Sequence, residues 1–104
     1  MGGEDEVYLV RKLITRPNWA VIRLLSDGVP RTNRQIYKAL GKRFTRKTLI
    51  SSLRTLALEL KVLAPQHIAG VAGYEVGYAL PEDMRVLVKD LERLQKLVGK
   101  LSKE

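Results

Sequence analysis

The spacing of apolar residues changes twice along this chain, and those changes restrict the folds open to it. From Val7 to Leu60 apolar residues recur every three or four positions, from Val62 to Tyr78 they alternate, and from Met84 to Leu101 the helical spacing returns. A helix repeats every 3.6 residues and a strand every two. The expected order is therefore several helices, one hairpin and one further helix: a mainly α chain with a small β-hairpin. Its 104 residues suffice for one domain, or one domain with a short appended element.

Residues 7–14 (Val7, Val10, Leu13, Ile14) form a first helix. Pro17 suits the first turn of a second, which carries Ala20, Val21, Leu24 and Leu25 on its apolar side, with Trp19 as a core or interface residue. Asp27-Gly28 and Pro30 stop it. Thr32 and Gln35 have the spacing of a capping box and open a third helix, with Ile36, Ala39 and Leu40 on the buried side and Gly41 at its end. Thr45 is the expected N-cap of a fourth helix over 45–60. In that helix Leu49, Leu53, Leu56, Ala57 and Leu60 share one side, and Lys47, Thr48, Ser51, Arg54 and Thr55 share the other, followed by Leu58. Val62-Leu63 and His67-Ile68 read as one strand interrupted by Pro65, which points to an edge or a bulge. Residues 69–73 turn the chain, and Tyr74, Val76 and Tyr78 mark the second strand.

Pro81-Glu82-Asp83 starts the last helix, with both carboxylates at the positive end of its dipole. Met84, Leu87, Leu91, Leu94, Val98 and Leu101 then follow at spacings of 3 and 4, a heptad seam widened by Val88 and Leu97. The seam predicts a homodimer joined through residues 81–104, appended to a domain over 1–80.

Composition removes most chemistry. There is no cysteine and one histidine, His67; disulfides, thiolate metal ligands and a cysteine nucleophile are excluded, and little remains for a zinc site or a Ser-His-Asp triad. No cofactor, metal or catalytic residue is expected. The longest uncharged stretch, Val62 to Tyr74, is broken by Pro65, Gln66, His67 and two glycines, short of the roughly 20 apolar residues of a membrane span. The acidic start, Glu4-Asp5-Glu6, is unlike a basic signal peptide. A cytoplasmic, nucleoid-associated protein is expected.

The net charge of +8 has a location. Residues 31–61 hold nine basic groups against Glu59 alone, while 1–30 are neutral, 62–80 carry only Glu75, and 81–104 are nearly balanced. One third of the chain carries the whole excess, as a polyanion-binding face requires. Small hydroxyls between long cations on helix 45–60 suit close approach to a major groove, where Lys or Arg reaches guanine O6 and N7 or a phosphate.

The stretches NWAVIRLLSDGVPR, RQIYKALGKRFTRKTLISSLRTL and YEVGYAL, in this order, resemble the winged helix-turn-helix domain of bacterial and archaeal transcription regulators of the HxlR, ArsR and MarR kind, over residues 17 to 80. The resemblance implies that 45–60 is the recognition helix and 62–80 the wing. Lys47, Thr48, Ser51 and Arg54 then face base edges, and Arg31, Thr32, Arg34, Lys42, Arg43, Arg46 and Thr55 meet phosphates. Two departures stand out: the wing lacks Lys and Arg, and neither cysteine-based nor metal-based sensing carries over. The resulting expectation is a dimeric regulator of transcription that binds double-stranded DNA. An architectural DNA-binding protein and a winged helix used as a protein–protein module are the alternatives; RNA binding is poorly supplied with aromatic residues for stacking.

Overall fold

The computed structural model describes residue 8, residues 10–70 and residues 73–102. The described helical residues 10–13 (α1) lead into α2 (Arg16–Leu24), β1 (Arg31–Thr32), α3 (Asn33–Leu40), α4 (Arg46–Arg54), β2 (Ala64–Gly70), β3 (Gly73–Ala79) and α5 (Glu82–Ser102). Val7, expected in the first helix, lies outside the described residues, as do residues 71–72 at the hairpin tip.

Helix α2 has Pro17 in its first turn and buries Trp19, Ala20, Val21 and Ile22, with Leu25 just past its end. It packs on both α3 and α4. Helix α3 starts with the expected capping box: the Thr32 hydroxyl oxygen accepts from the Gln35 N–H (3.1 Å), and the Gln35 side-chain oxygen accepts from the Thr32 N–H (2.9 Å). Such a cap contributes about 0.5–2 kcal/mol. Ile36 and Leu40 are buried, but Ala39 is exposed, contrary to the sequence reading. The buried side of α3 is shifted from the one supposed: Tyr37, on the flank of the Ile36–Leu40 stripe opposite Ala39, is half-buried against the core.

The long helix expected over 45–60 is not regular. Thr45 caps α4 through its hydroxyl, which accepts from the Thr48 N–H (3.2 Å). Beyond Arg54 the backbone widens into a π-helical turn, Thr55–Glu59, closed by the Leu60 N–H donating to the Thr55 carbonyl (2.9 Å). Lys61 then takes a left-handed conformation (φ 56°), and the Val62 N–H returns to the Leu56 carbonyl (2.9 Å). This wide ending turns Leu63 into the core, so Val62 and Leu63 precede the strand they were assigned to.

The sheet has three antiparallel strands in the order β1-β3-β2, where a two-stranded hairpin was expected. Pro65 lies within β2, opposite Tyr78, and β2 is an edge strand, where a missing N–H is tolerated. The strands pair as far as Gly70 and Gly73, so the turn is shorter than the 69–73 loop read from sequence. Strand β1 was not anticipated; Arg31 pairs with Tyr78 and Thr32 with Gly77.

Helix α5 closes the core through Val88, which is buried, and through Met84 and Leu91, which pack against the same cluster. The heptad seam is therefore divided: Met84 and Leu91, expected at a dimer interface, serve the chain's own core at least in part. No described helix is long and apolar enough to cross a membrane.

Two predictions follow from the seat of β1. A Cβ at Gly77 would collide with the Arg31 carbonyl and the Ile68 side chain. Gly77→Ala is expected to lower stability by about 1–3 kcal/mol, the usual range for overpacking, measured by urea denaturation. Behind β1, the Arg31 guanidinium grips both carboxylate oxygens of Asp27 (2.9 and 2.8 Å). That hydrogen bond, helped by the Val29 N–H, lowers the Asp27 pKa from 3.8 to about 2. Because the folded value is depressed, the tie stabilises the fold above the unfolded pKa and the benefit disappears as pH falls through about 2. Asp27→Asn should flatten the stability profile between pH 4 and 2; an unchanged profile would contradict it.

Candidate nucleic-acid interface

The candidate interface is built on two helix N-termini and the turn between them. Thr32 and Thr45 fix where α3 and α4 begin, and Gly41 to Phe44 connect them. Around this frame the structure brings together Arg34 of α3, Lys42 and Arg43 of the turn, and Arg46, Lys47, Ser51 and Arg54 of α4, all exposed. Leu49, Ser52 and Leu53 face inward from the same helix. The division of α4 into a basic outer side and an apolar inner side is as the 3.6-residue spacing predicts.

The remaining expected contacts are less available. Arg31 is committed internally: besides Asp27, its guanidinium donates to the Leu24 carbonyl (3.0 Å) and the Val29 carbonyl (3.3 Å). Thr32 is buried, and its hydroxyl serves as the α3 cap. Neither is arranged to meet a phosphate through its side chain; the local fold uses both first. Thr48 and Thr55 are half-buried, and the Thr48 hydroxyl receives a hydrogen bond from the Thr45 hydroxyl (2.9 Å).

Two clefts flank α4. One, of about 590 Å³, lies between α3, the start of α4 and the wing, and is lined by Asn33, Arg34, Tyr37, Arg46, Glu75 and Val76 together with Thr32. Here the Arg46 guanidinium sits over the Tyr37 ring, 5.0 Å from its centroid, and Arg34 lies 3.5 Å from the Glu75 carboxylate. With the Arg34 side chain 82% exposed, this pair is weak and open to exchange. The second cleft, about 500 Å³, separates Lys47, Thr48, Ser51 and Thr55 from Lys12, Thr15 and Asn18. Its floor holds a buried hydrogen bond from the Ser52 hydroxyl to the Asn18 side-chain oxygen, while the Asn18 amide donates to the Lys12 carbonyl (2.7 Å).

Sequence reasoning missed Lys12, Asn18, Asn33, Tyr37 and Ser52 at these clefts. Tyr37 lies nine residues before Arg46, and only the turn between the helices brings them together. Ser52 carried a legible signal: it is a hydroxyl on the leucine side of α4, and a buried hydroxyl requires a partner. Among the described residues, no cluster of His, Asp or Glu could hold a metal ion.

Searches of protein-family models and of curated proteins find no match to this sequence. Solved structures do match. The reduced form of the transcriptional regulator YodB from B. subtilis superposes with a TM-score of 0.71 at 23% identity, covering 92% of this chain and 89% of that one. The diamide-treated YodB gives 0.73 at 19% identity, covering 96% and 94%. A PadR family transcriptional regulator from Eggerthella lenta DSM 2243 gives 0.60 at 21% identity, covering 95% of each chain. Nearly the whole chain, α5 included, therefore has the winged-helix fold of these structures.

Proposed function

We propose that this protein is a dimeric regulator of transcription that binds double-stranded DNA and places α4 in the major groove. The observation that carries the reading is the outer face of α4. Lys47, Ser51 and Arg54 project together from a helix whose first turn contains no carboxylate, beside a cleft that Lys12 also lines. The structures sharing its fold are described as transcriptional regulators, which supports the same reading. Lys47, Thr48, Ser51 and Arg54 are assigned to base edges. Arg34, Lys42, Arg43 and Arg46 are assigned to phosphates, with Thr55 at the margin. Residues 1–80 form the binding domain, and residues 81–104 pair two copies, the first turns of α5 also completing the core.

Pairing rests on the distal half of α5, where Leu94 and Leu97 are 58% and 55% exposed and Val98 is similarly open. The side chain of Leu101 lies outside those described. Leu87, 39% exposed, joins this stripe. Together these positions form an apolar strip on a basic protein, the arrangement a second copy covers.

Duplex-binding affinities and sedimentation test the proposal. Arg54→Ala should cost about 1–3 kcal/mol on the preferred site and relax discrimination at one base pair. Arg34→Ala should weaken all duplexes alike and reduce the salt slope by about one. A dimer neutralising roughly 6–10 phosphates should lose about 10³–10⁵ in affinity between 50 and 200 mM salt. Equal losses on every duplex for Arg54→Ala would favour an architectural protein instead. For the dimer, Leu94→Glu with Leu97→Glu should convert a sedimenting dimer to a folded monomer, since both positions are exposed. A wild-type protein that is already monomeric at tens of micromolar would overturn pairing. Two copies would require half-sites roughly 10–10.5 base pairs apart, or a multiple of that spacing.

A further inference from the structure

A helix lying in a major groove has a phosphodiester backbone on each side of it. The phosphate contacts proposed above gather at the turn before α4 and at the first cleft, which Arg34 and Arg46 border. Thr48 and Ser51 border the second cleft, and they stand roughly 140–160° around the helix axis from Arg46 at 3.6 residues per turn. Arg54 points between them. The two clefts therefore lie on either side of the edge of α4 assigned to bases, as two backbones lie on either side of a groove.

The second cleft draws its charge from a different part of the chain. Lys12 of α1 lines it opposite Lys47, the other polar side chains there are hydroxyls and Asn18, and no carboxylate lines it. Lys12 is held in place beside the cleft. Its ammonium lies 4.7 Å from the centroid of the Tyr8 ring and donates to the Glu59 carboxylate. Glu59 stands in the π-helical turn that ends α4, outside the cleft lining, and is the one carboxylate of residues 31–61. The Lys12 and Glu59 side chains are 30% and 43% exposed, so solvent screens the pair and its loss costs the fold little. An ammonium has three N–H donors. Glu59 and a phosphate can be served by different ones.

We propose that the second cleft seats the phosphodiester backbone on the far side of the groove from Arg34, with Lys12 as its charged contact and the Ser51 and Thr55 hydroxyls beside it. The placement rests on the reading of α4 as the helix in the groove. Helix α1 then belongs to the DNA-binding surface, although residues 1–30 carry no net charge. Glu59 opposes the contact, because it draws on the same ammonium and sets a negative charge near the incoming strand.

The test is the affinity of the full chain for a duplex of mixed sequence, followed as a function of salt. Lys12→Gln is expected to weaken binding about five- to tenfold per protomer at 100 mM salt and to lower the salt slope by about 0.9, the weight of one phosphate. Glu59→Gln breaks the same ion pair but keeps the ammonium, and should bind at least as tightly as the wild type. A tie that merely anchored α1 would make both variants lose affinity alike. Lys89→Gln removes a charge from an exposed position on α5 outside both clefts and should leave the slope as it was. All three variants should keep the wild-type thermal midpoint, since none of these side chains is buried. The proposal is overturned if Lys12→Gln keeps the wild-type slope, if Glu59→Gln weakens binding as much as Lys12→Gln does, or if Lys89→Gln lowers the slope equally. In each of those results the wild type still binds and the DNA-binding reading stands. A wild type without affinity for duplex DNA would sink that reading and this one with it.

Discussion

The pairing of Arg31 and Thr32 with Tyr78 and Gly77 is the constraint on which the relative placement of wing and helices depends, because the same two residues end the loop from α2 and begin α3. Thr32 contributes its backbone to the sheet and its hydroxyl to the first turn of the helix. Arg31 contributes its backbone to the sheet and its guanidinium to Asp27 and the carbonyl of Leu24 at the end of α2. Sheet, α2 and α3 thus meet in one dipeptide. Gly77 permits the meeting, since any larger residue would press on the Arg31 carbonyl. The first cleft beside α4 inherits its width from this junction: α3 forms one wall and β3 the other.

Helix α5 shows how one amphipathic element serves two surfaces. Its first three turns give Val88 to the core, with Met84 and Leu91 beside it. At 100° per residue the heptad line runs along the edge of that buried stripe, and further along it Leu94 and Leu97 are exposed. A heptad repeat and an amphipathic packing stripe differ by only about 20° per heptad. That small drift is why the seam alone did not separate intramolecular from intermolecular burial.

Elements governed by local chemistry were legible in the sequence. The capping box at Thr32, the cap at Thr45 and the start of α5 at Pro81-Glu82-Asp83 lie where side-chain spacing puts them, because each depends on residues within one turn. What was not legible depends on distant partners. Strand β1 is two residues long and has no periodicity of its own; it is a strand only because β3 runs beside it. The π-helical turn after Arg54 keeps Leu56 and Ala57 buried as the spacing implied, so the apolar pattern conceals the change in backbone. At the candidate site, the side of α4 was legible and the availability of each group was not: Arg31 was read as a surface cation because its partner, Asp27, lies in the electrically neutral part of the chain.

The charge placement on α3, α4 and α5 differs in a way that folding alone does not explain. Helix α5 has Glu82 and Asp83 in its first turn and Lys100 in its last, the order that complements the helix dipole. Helices α3 and α4 have no carboxylate in their first turns, and Arg34, Arg46 and Lys47 stand there instead. Cations at the positive end of the dipole each oppose the helix by a few tenths of a kcal/mol up to about 1 kcal/mol. All three helices carry a cation in the last turn, but only the one that completes the core has carboxylates in its first turn; the two whose N-termini border the wing cleft have cations there. Sequences depart from a local rule where another requirement competes with it. A phosphate drawn to those N-termini would meet aligned N–H groups and exposed cations together, and the unfavourable term of the free protein would change sign on binding.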